Sequence, residues 1–395
     1  MAEQVFVKPP SAGPSLSALP PLSLYVHIPW CVRKCPYCDF NSHEARGELP
    51  EAQYCEALIR DLELALPLVW GRRIYSVFFG GGTPSLFSAK AIDGLLAAIR
   101  ARLPLTSDCE ITLEANPGTF EAGKFRDFRA AGVNRLSIGV QSFNPRHLQA
   151  LGRIHDEREA RRAIEIAQQS FENFNLDLMY ALPGQTPQEA KCDAEEALAW
   201  QAPHLSFYHL TIEPDTVFFR RPPAVPDTEE SAAIEDAVHE TLSSAGYGHY
   251  ETSAWSRPGM ACRHNLNYWQ FGDYLGLGAG AHSKISFADR VIRQMRAKQP
   301  REYLRLIEAG TPVQEERRLG RADLVFEFMM NALRLPQGFA VAAFAERTGL
   351  PILAAEKGLA QAEARGLLER DHERVRPTER GQRFLNDLLE IFLPG

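Results

Sequence analysis

The chain has 395 residues, of which 45% are hydrophobic, so it is long enough for one large globular domain and a smaller one. Its formal net charge of -7 argues against a general binder of nucleic-acid backbones, because such proteins need clustered Lys and Arg. The sequence has no uninterrupted apolar run of the ~20 residues that span a bilayer. We therefore expect a cytoplasmic protein without a transmembrane segment.

Residues 1–22 are rich in Pro, Ser and Ala and have neither a basic start nor an apolar centre. This composition predicts a flexible leader rather than a signal peptide. Four cysteines, at positions 55, 109, 192 and 262, are scattered without a pairing pattern. We expect them to be buried thiols in a reducing compartment rather than disulfides.

Six short apolar runs rich in β-formers recur along residues 23–247, and helix-like segments follow them. The runs cover residues 24–28, 75–79, 109–113, 135–140, 175–179 and 205–210, and the clearest helical segments cover residues 51–66, 89–103 and 187–200. Such alternation predicts βα units around a parallel sheet. Six units are too few for a closed eight-stranded barrel.

The remainder of the chain departs from this alternation. Residues 248–285 are rich in Gly and aromatic residues, and we expect strands and loops that extend the sheet edge there, within a region of extension and linker that covers residues 248–316. The glycine run at residues 276–280 lacks a following helix, so close backbone packing is expected there rather than nucleotide binding. Residues 317–395 combine helices with a hairpin at 367–377, which predicts a winged-helix-like domain. Its nearly balanced charges favour a role as a cover over binding of DNA.

Three cysteines follow the first predicted strand at CxxxCxxC spacing: Cys31, Cys35 and Cys38. Thiolates select soft metal centres such as zinc and iron–sulfur clusters. A cubane cluster held by three cysteines leaves one iron open to an outside ligand. The alternative is a structural zinc site completed by His27 or His43, but such sites usually add a second, distant pair of ligands, which the chain does not have.

Other polar residues recur at or just beyond the ends of the predicted strands: the loop 80–84 (GGGTP), Glu114, Gln141, Arg153 and Asp177. In parallel α/β barrels the carboxyl ends of the strands form one face, so these groups should meet the cysteines there. Glycines let a backbone approach a ligand closely, and an arginine fork suits a carboxylate. For each residue alone a structural role is the alternative, including a buried salt bridge between Asp177 and Arg153.

Together these motifs resemble the radical S-adenosylmethionine (SAM) superfamily and, within it, the HemN/HemW group of oxygen-independent coproporphyrinogen dehydrogenases and their haem-chaperone relatives. The resemblance implies an α/β fold, an open partial (β/α)6 barrel with a winged-helix-like helical C-terminal domain. It also implies a 4Fe-4S cluster on Cys31, Cys35 and Cys38 with SAM on the open iron, where an electron from the cluster can split the sulfonium to a 5'-deoxyadenosyl radical. The implied SAM contacts are Tyr25, Tyr37, Gly81, Gly82, Thr83, Glu114, Gln141, Arg153 and Asp177. For the two tyrosines, ordinary core packing is the alternative.

Two positions separate the members of this group. The dehydrogenases carry an extra cysteine two places after the third ligand, whereas Phe40 stands there in this chain, which argues against decarboxylase activity. Residues 264–269 (HNLNYW) match the HNxxYW motif that marks HemW-like proteins. A neutral imidazole is a good axial ligand for haem iron, so His264 is the candidate haem ligand. The alternative is a packed histidine of the core.

The expected function is that of a haem chaperone, which binds haem as well as a SAM-ligated 4Fe-4S cluster and passes haem to an acceptor protein of unknown identity. Whether SAM is cleaved stays open, and no catalytic residue is assigned. The first alternative is an oxygen-independent coproporphyrinogen III dehydrogenase, and the second is a radical SAM enzyme that acts on nucleic acid through the winged helix. Cys262 lacks the C-x-x-C-H context of haem attachment, and neither it nor His209 or His282 receives a role.

Overall fold

A computed structural model describes residues 13–119 and 122–394 of the chain. Up to residue 247 it alternates strands and helices. In chain order these are β1 (Leu22–Ile28), β2 (Trp30–Cys31), β3 (His43–Glu44), α1 (Glu51–Val69), β4 (Ile74–Gly81), α2 (Ala89–Arg102), β5 (Leu105–Ala115), α3 (Ala122–Ala131), β6 (Arg135–Gln141), α4 (Pro145–Ala150), α5 (Glu157–Ser170), β7 (Phe174–Tyr180), α6 (Pro187–Ala199), β8 (His204–His209), α7 (Val217–Arg220) and α8 (Thr228–Ser244). The six predicted strands correspond to β1, β4, β5, β6, β7 and β8, and the three predicted helices to α1, α2 and α6.

The six long strands are parallel neighbours in the order β1-β4-β5-β6-β7-β8, which is the predicted partial (β/α)6 arrangement. The sequences of these strands are continuous apolar runs because both faces of the sheet are buried. Helices cover its outer face, and side chains fill the interior of the barrel. Helices α5, α6 and α8 begin at capping boxes headed by Asp156, Thr186 and Asp227, which define where each crossover starts. All polar groups at the carboxyl ends of these strands therefore face the same side of the barrel.

Both edges of this sheet are extended by later parts of the chain. The elements are β9 (Gly248–Glu251), β10 (Ala254–Ser256), α9 (Arg263–Trp269), β11 (Asp273–Leu277), β12 (His282–Ser286), β13 (Val291–Arg296), α10 (Pro300–Glu308) and β14 (Val313–Arg318). Strands β10 and β9 continue beyond β8, while β11 lies parallel to β1 and carries β12, β13 and β14 outward. The expectation of strands and loops alone is corrected by α9, which places the HNLNYW motif on a helix.

The glycine run after β11 serves close packing, as expected. Gly278 has a φ of +102°, and a Cβ there would lie 2.9 Å from the Tyr54 hydroxyl. No helix follows directly, since the chain turns into β12 instead. A side chain at this position would therefore push the turn away from α1.

The C-terminal region has its own apolar core, centred on Phe328 and Phe344. Its elements are α11 (Arg321–Ala332), β15 (Phe339–Ala340), α12 (Val341–Thr348), α13 (Glu356–Ala364), β16 (Leu368–Arg370), β17 (Arg374–Pro377), α14 (Glu379–Arg383) and α15 (Leu385–Glu390). The three short strands form a sheet in the order β15-β17-β16. Helices beside such a small sheet match the predicted winged-helix-like architecture. No helix among the described residues is long and apolar enough to cross a bilayer.

The predicted flexible leader is corrected for the part that can be described. Residues 1–12 lie outside the described residues. Leu16 is only 6% exposed and belongs to the C-terminal apolar core, and the Ser15 amide donates a 3.1 Å hydrogen bond to the Gly349 carbonyl. Part of this segment is therefore packed before β1 begins, because Leu16 fills a place in that core, although residues 17–19 are exposed.

Candidate functional site

The three motif cysteines lie in a loop whose base is closed by backbone hydrogen bonds. The short strands β2 and β3 pair in parallel on either side of it. The His43 amide donates to the Pro29 carbonyl at 2.7 Å, and the Ala45 amide donates to the Cys31 carbonyl at 2.8 Å. The loop therefore leaves β1 and returns as one closed unit above the carboxyl end of the barrel.

This loop covers a cavity of about 390 Å³, here called the cluster pocket. Its lining includes all the predicted cluster and SAM contacts except Tyr25: Cys31, Cys35, Cys38, Tyr37, Gly81, Gly82, Thr83, Glu114, Gln141, Arg153 and Asp177. Residues far apart in the chain meet here because each lies at or near the carboxyl end of a parallel strand. None of the described residues of the C-terminal region lines the cluster pocket, and the role of that region as a cover stays a prediction.

The thiols suit a cluster better than a single metal ion. Among the described residues no group of three or more His, Cys, Asp and Glu side chains is arranged around one ion position. A cubane cluster is several ångströms across and holds its cysteines farther apart than one ion would. His27 is also engaged, because its ring nitrogens contact the Tyr25 hydroxyl at 3.0 Å and the Asn41 carbonyl at 2.8 Å. His27 is therefore engaged elsewhere, whereas the Nε2 of His43, the other histidine of the zinc alternative, is buried without a partner among the described residues.

Burial raises the pKa of the thiols of Cys31 and Cys38 above the ordinary value, although hydrogen bonds from Thr83 and Ser42 act in the opposite direction. Without a metal centre these thiols hold their protons at neutral pH. Binding of iron by the loop must therefore release protons.

The glycine loop after β4 lies directly against the cysteine loop. Gly81 has a φ of +120°, and its amide donates to Glu114 Oε2 at 3.1 Å. A Cβ on Gly82 would lie 2.5 Å from the Trp30 carbonyl oxygen. Both positions need glycine, because a Cβ on Gly81 would lie 2.6 Å from the His27 ring, whereas one on Gly82 would displace the segment that carries Cys31.

Glu114, near the end of β5, is a strongly perturbed acid of the cluster pocket. Burial, with a smaller contribution from the nearby charge of Asp177, raises its pKa to about 8. The carboxyl group is therefore mostly protonated at neutral pH until a ligand offers donors or positive charge. This behaviour fits a group that faces a cationic ligand.

Arg153 is held beside the cysteines by several acceptors. Its guanidinium donates to Cys35 Sγ at 3.3 Å, to Asn116 Oδ1 at 2.5 Å and to the Gly139 carbonyl at 3.1 Å. Its Nε is buried and has no hydrogen-bond partner within the described ranges. The side chain is thus positioned for an additional acceptor, such as a ligand carboxylate.

Asn116 was not singled out in the sequence, although it follows Glu114 at the same strand end. Its amide nitrogen donates to Thr83 Oγ1 at 2.8 Å, while its oxygen accepts from Arg153. It therefore links the glycine loop to the arginine. The sequence offers one indication of this role: Asn116 lies two residues after Glu114, a predicted site residue.

Asp177 is fixed by neutral donors rather than by Arg153. The Ser137 hydroxyl donates to Asp177 Oδ2 at 2.7 Å, and the Asn175 amide donates to Oδ1 at 2.9 Å. The alternative of a buried salt bridge with Arg153 is therefore wrong. With a further hydrogen bond from the Ser206 side chain, these donors hold the carboxylate at the edge of the cluster pocket, which Asp177 lines.

Tyr25 and His264 lie in a different cavity of about 190 Å³, deeper in the barrel, which shares Glu114 and Asp177 with the cluster pocket. His264 is 2% exposed, and its ring stacks on Phe78 with centroids 4.9 Å apart. The cavity is far smaller than a porphyrin. The Tyr25 ring lies directly against Gly80 of the glycine loop, and its contact with SAM stays a prediction.

The local contacts of His264 show why it faces inward. Its Nδ1 lies 3.0 Å from the hydroxyl of Ser76, which in turn donates to Ser23. Burial lowers its pKa to about 3, so the ring is neutral. Its Nε2 is buried without a partner among the residues described. In the described conformation the ring is packed and buried, and the role of His264 as an axial haem ligand stays a prediction.

Cys262 and His209 also have defined surroundings. The Cys262 thiol is fully buried and donates to Glu110 Oε1 at 3.5 Å, and burial raises its pKa to about 12. It is therefore neither a thiolate ligand nor an accessible anchor. His209 lies at the end of β8, where it lines the cluster pocket and contacts the Tyr180 ring edge-on at a centroid distance of 5.2 Å.

Comparison with known proteins agrees with this arrangement. The family model "Radical SAM superfamily" matches residues 25–196, and "HemN C-terminal domain" matches residues 319–384. The chain is 48% identical to heme chaperone HemW of Escherichia coli over 95% of this chain and 99% of that protein. The chain belongs to the HemW family. Family members from Haemophilus influenzae and Bacillus subtilis are 46% and 33% identical, each covering at least 94% of this chain.

The fold of this HemW-family chain is also that of a solved relative. Coproporphyrinogen III oxidase (HemN) from Escherichia coli, described as a radical SAM enzyme, superposes with a TM-score of 0.80 at 25% identity over 95% of this chain and 90% of that one. This confirms the expected radical SAM barrel with its C-terminal helical region. Membership of the radical SAM superfamily implies a 4Fe-4S cluster and SAM as cofactors.

Proposed function

We propose that this chain is a haem chaperone that carries a 4Fe-4S cluster and SAM in the cluster pocket, binds haem, and passes it to an acceptor protein. The observation that carries this proposal is the match, over nearly the full length, to proteins named heme chaperone HemW at identities up to 48%. The cluster pocket supports it, because soft thiol ligands and a ligand-sized cavity occur together.

The residues present fit the two implied cofactors. Cys31, Cys35 and Cys38 would hold the cluster, and the glycine loop, Glu114 and Arg153 would hold SAM. When bound, cluster and SAM supply one-electron chemistry. The Arg153 Nε–H, which has no partner among the described residues, would donate to a ligand carboxylate, and Glu114 would lose its proton as positive charge arrives. Gly81 and Gly82 would allow the backbone to approach the ligand.

A second candidate function is that of an oxygen-independent coproporphyrinogen III dehydrogenase, because the solved HemN structure shares the fold with a TM-score of 0.80. Phe40 argues against it. This side chain is 65% exposed and lines the cluster pocket at the position where the dehydrogenases carry their extra cysteine. An apolar ring there supplies neither a proton nor a thiol to a substrate.

The two functions are separated by anaerobic reconstitution of the cluster followed by incubation with coproporphyrinogen III, SAM and a reductant, with haem titrated into a parallel sample. We expect a saturable Soret band and no decarboxylated porphyrin. Formation of protoporphyrinogen would instead establish the dehydrogenase. A Phe40→Cys variant serves as the matched control for the importance of that position.

The role of the cluster in haem transfer is tested with a Cys35→Ala variant. If the cluster and SAM control the release of haem, the variant loses SAM turnover and control of haem transfer together. Haem transfer that proceeds unchanged in the variant would refute such control while leaving haem binding itself intact.

A further inference from the structure

The predicted ligation of haem by His264 needs a conformation other than the described one. The ring is 2% exposed and lines the cavity of about 190 Å³ in the barrel, here called the inner cavity. Pockets for drug-sized ligands measure about 300–1,000 Å³, so a porphyrin does not fit there. His264 lies on α9 (Arg263–Trp269), a helix of only seven residues. Haem can therefore meet this imidazole only if α9 moves.

The two faces of α9 contact different parts of the molecule. His264, Asn265 and Tyr268 line the inner cavity. Trp269 instead faces the C-terminal region, where the guanidinium carbon of Arg334 lies 4.3 Å from the centroid of its ring. His264 and Trp269 are five residues apart, so their side chains point about 140° away from each other on a helix. A rotation of α9 that withdraws His264 from the barrel must therefore move Trp269 away from Arg334.

Arg334 joins this tryptophan to the edge of the large sheet. Its guanidinium donates to Glu251 Oε2 at 3.3 Å, and this acid at the end of β9 is buried. The Thr252 amide also donates to the Arg334 carbonyl at 3.1 Å. A guanidinium over the face of a tryptophan is the most favourable form of cation–π contact, and partial burial strengthens it. Arg334 therefore holds the outer face of α9 against a fixed part of the fold.

The amino-terminal end of α9 is held less firmly. Arg263 pairs with Asp108 at 2.7 Å, but both side chains are more than half exposed, and exposed ion pairs contribute little to stability. Cys262, which precedes the helix, makes no side-chain cap hydrogen bond. The His264 amide donates to the buried Glu110 Oε1 at 3.2 Å. This end is therefore held chiefly by one carboxylate and by the packing of the His264 ring.

The closed arrangement also leaves polar atoms unsatisfied. His264 Nε2, Trp269 Nε1 and Arg334 Nε are buried, and none of them has a hydrogen-bond partner within the described ranges. Each of these atoms has lost water without a replacement, which costs free energy. A conformation that returns them to water or to a ligand removes this cost. The free-energy difference between the closed and an open position of α9 is reduced accordingly.

The chain directly after α9 has the features of a hinge. Phe271 has a φ of +56°, a conformation that bulky residues rarely adopt. Its ring is anchored in the C-terminal apolar core, where it contacts Phe328 at a centroid distance of 5.7 Å. Hinges are typically a few residues at the end of an element that absorb a change of backbone angles. The helix can therefore turn about this point while the following chain stays anchored.

We propose that Arg334 is a latch for the haem site: by clamping Trp269 it holds α9, and with it His264, closed inside the barrel until haem binds. This inference rests on the proposed function and deepens it, because it assigns control of haem access to the C-terminal region. Arg334 acts through Trp269 and need not touch haem, so it is a positioning residue. The latch reduces the apparent haem affinity by the fraction of molecules in which it is open.

The test is stopped-flow mixing of haem with the reconstituted full-length protein, followed by the Soret band. Arg334→Met keeps an apolar stem but removes the cation and the pair with Glu251. It should bind haem at least about fivefold faster than the wild type, because the open form is more populated. The amides of α9 should exchange hydrogen faster in this variant before haem is added. The matched control is Arg383→Met, which removes the half-exposed pair of α14 with Asp236 of α8 and should bind at the wild-type rate.

Two further variants keep the test decisive. Glu251→Gln removes the same ion pair with little change in volume and should also accelerate binding, so it replaces Arg334→Met if that variant fails to retain its cluster absorbance. His264→Ala should lose the spectroscopic signature of an axial imidazole in electron paramagnetic resonance of the ferric state. A signature that persists in His264→Ala overturns the inference, because haem then does not depend on α9.

The remaining outcomes separate the inference from the proposed function. An unchanged or slower rate in Arg334→Met that retains its cluster overturns the inference alone, since haem binding by the wild type still supports the proposed function. Equal acceleration in Arg383→Met also overturns it, because general loosening of the C-terminal region would then explain the effect. Absence of haem binding by the wild type overturns the proposed function together with the inference.

Discussion

The side chains of the cluster pocket are positioned before any ligand arrives. Arg153 is held by Asn116 and the Gly139 carbonyl, and Asp177 is held by Ser137 and Asn175. Because protein groups fix these orientations, little side-chain freedom is lost when a ligand binds. Glu114 differs from these residues in its charge state. Its carboxyl group is mostly protonated before a ligand binds, so it must lose a proton when a cationic ligand arrives.

The perturbed carboxyl of Glu114 predicts that SAM affinity depends on pH. Its folded-state pKa of about 8 lies above the ordinary 4.5, so the ligand-free fold loses stability from this group as pH rises between these values. SAM favours the ionised form, so its binding should tighten by up to about tenfold per pH unit as pH rises toward 8. Equilibrium dialysis at a series of pH values up to 8 measures the SAM affinity. Glu114→Gln should show a flat profile, and an equally steep profile in that variant would contradict the assignment.

A second prediction concerns the shape of Arg153. Lysine keeps the charge but cannot reach Asn116, Gly139 and a ligand carboxylate at once. Arg153→Lys should therefore weaken SAM binding about tenfold, which corresponds to about 1.4 kcal/mol, without loss of cluster iron. The matched control is Arg161→Lys, at the surface ion pair with Glu196. Equal SAM affinity in the two variants would show that the fork of Arg153 is not needed.

Among the elements, the cysteine loop and the glycine loop behave as one unit. The Gly82 amide donates to the Ile28 carbonyl at 2.8 Å, and the Thr83 amide donates to the Trp30 carbonyl at 2.7 Å. The two loops follow neighbouring parallel strands, β1 and β4, so their close contact results from the sheet order. A displacement of one loop should therefore displace the other as well.

This contact predicts an effect of Gly82→Ala on cluster content. The new Cβ would lie 2.5 Å from the Trp30 carbonyl oxygen, which must shift together with the neighbouring Cys31. We expect the variant to retain clearly less iron after reconstitution than the wild type. Gly94→Ala is the control, because a Cβ there meets no atom within 4 Å and a helical alanine stabilises by up to about 1 kcal/mol. Iron content is measured after desalting, and full occupancy in Gly82→Ala would contradict the account.

The whole molecule is joined by a buried charge cluster where β11 meets the barrel. Asp273 binds Lys284 at 2.9 Å and Arg72 at 2.7 Å, and the acid and the lysine are at most 1% exposed. These pairs link the sheet extension to the segment between α1 and β4. Neutralising one partner would leave another charge buried and unpaired.

Asp273→Ala should therefore lower the free energy of unfolding by about 3–5 kcal/mol. Asp289→Ala, which removes a 68% exposed carboxylate paired with Arg290, should cost no more than about 0.5 kcal/mol. Urea unfolding followed by circular dichroism compares them. A loss below about 1 kcal/mol in Asp273→Ala would mean that this cluster does not hold the extension in place.

The sequence predicts the parts of the molecule that depend on local patterns. The six barrel strands and the polar residues at their ends are read from short apolar runs, and the parallel sheet then brings these ends together. The inward orientation of His264 is different. It depends on Phe78 and Ser76, nearly 190 positions away in the chain, and on the short helix α9. A motif alone cannot tell whether its histidine faces solvent or the core.

The central claim is that this chain binds haem as well as its cluster, and an anaerobic haem titration of the reconstituted protein tests it most directly. We predict saturation at one haem per chain, with a defined Soret band and with the cluster iron retained. Uptake that does not saturate, or haem binding only after the cluster is lost, would contradict the proposal that both are held by the same folded chain.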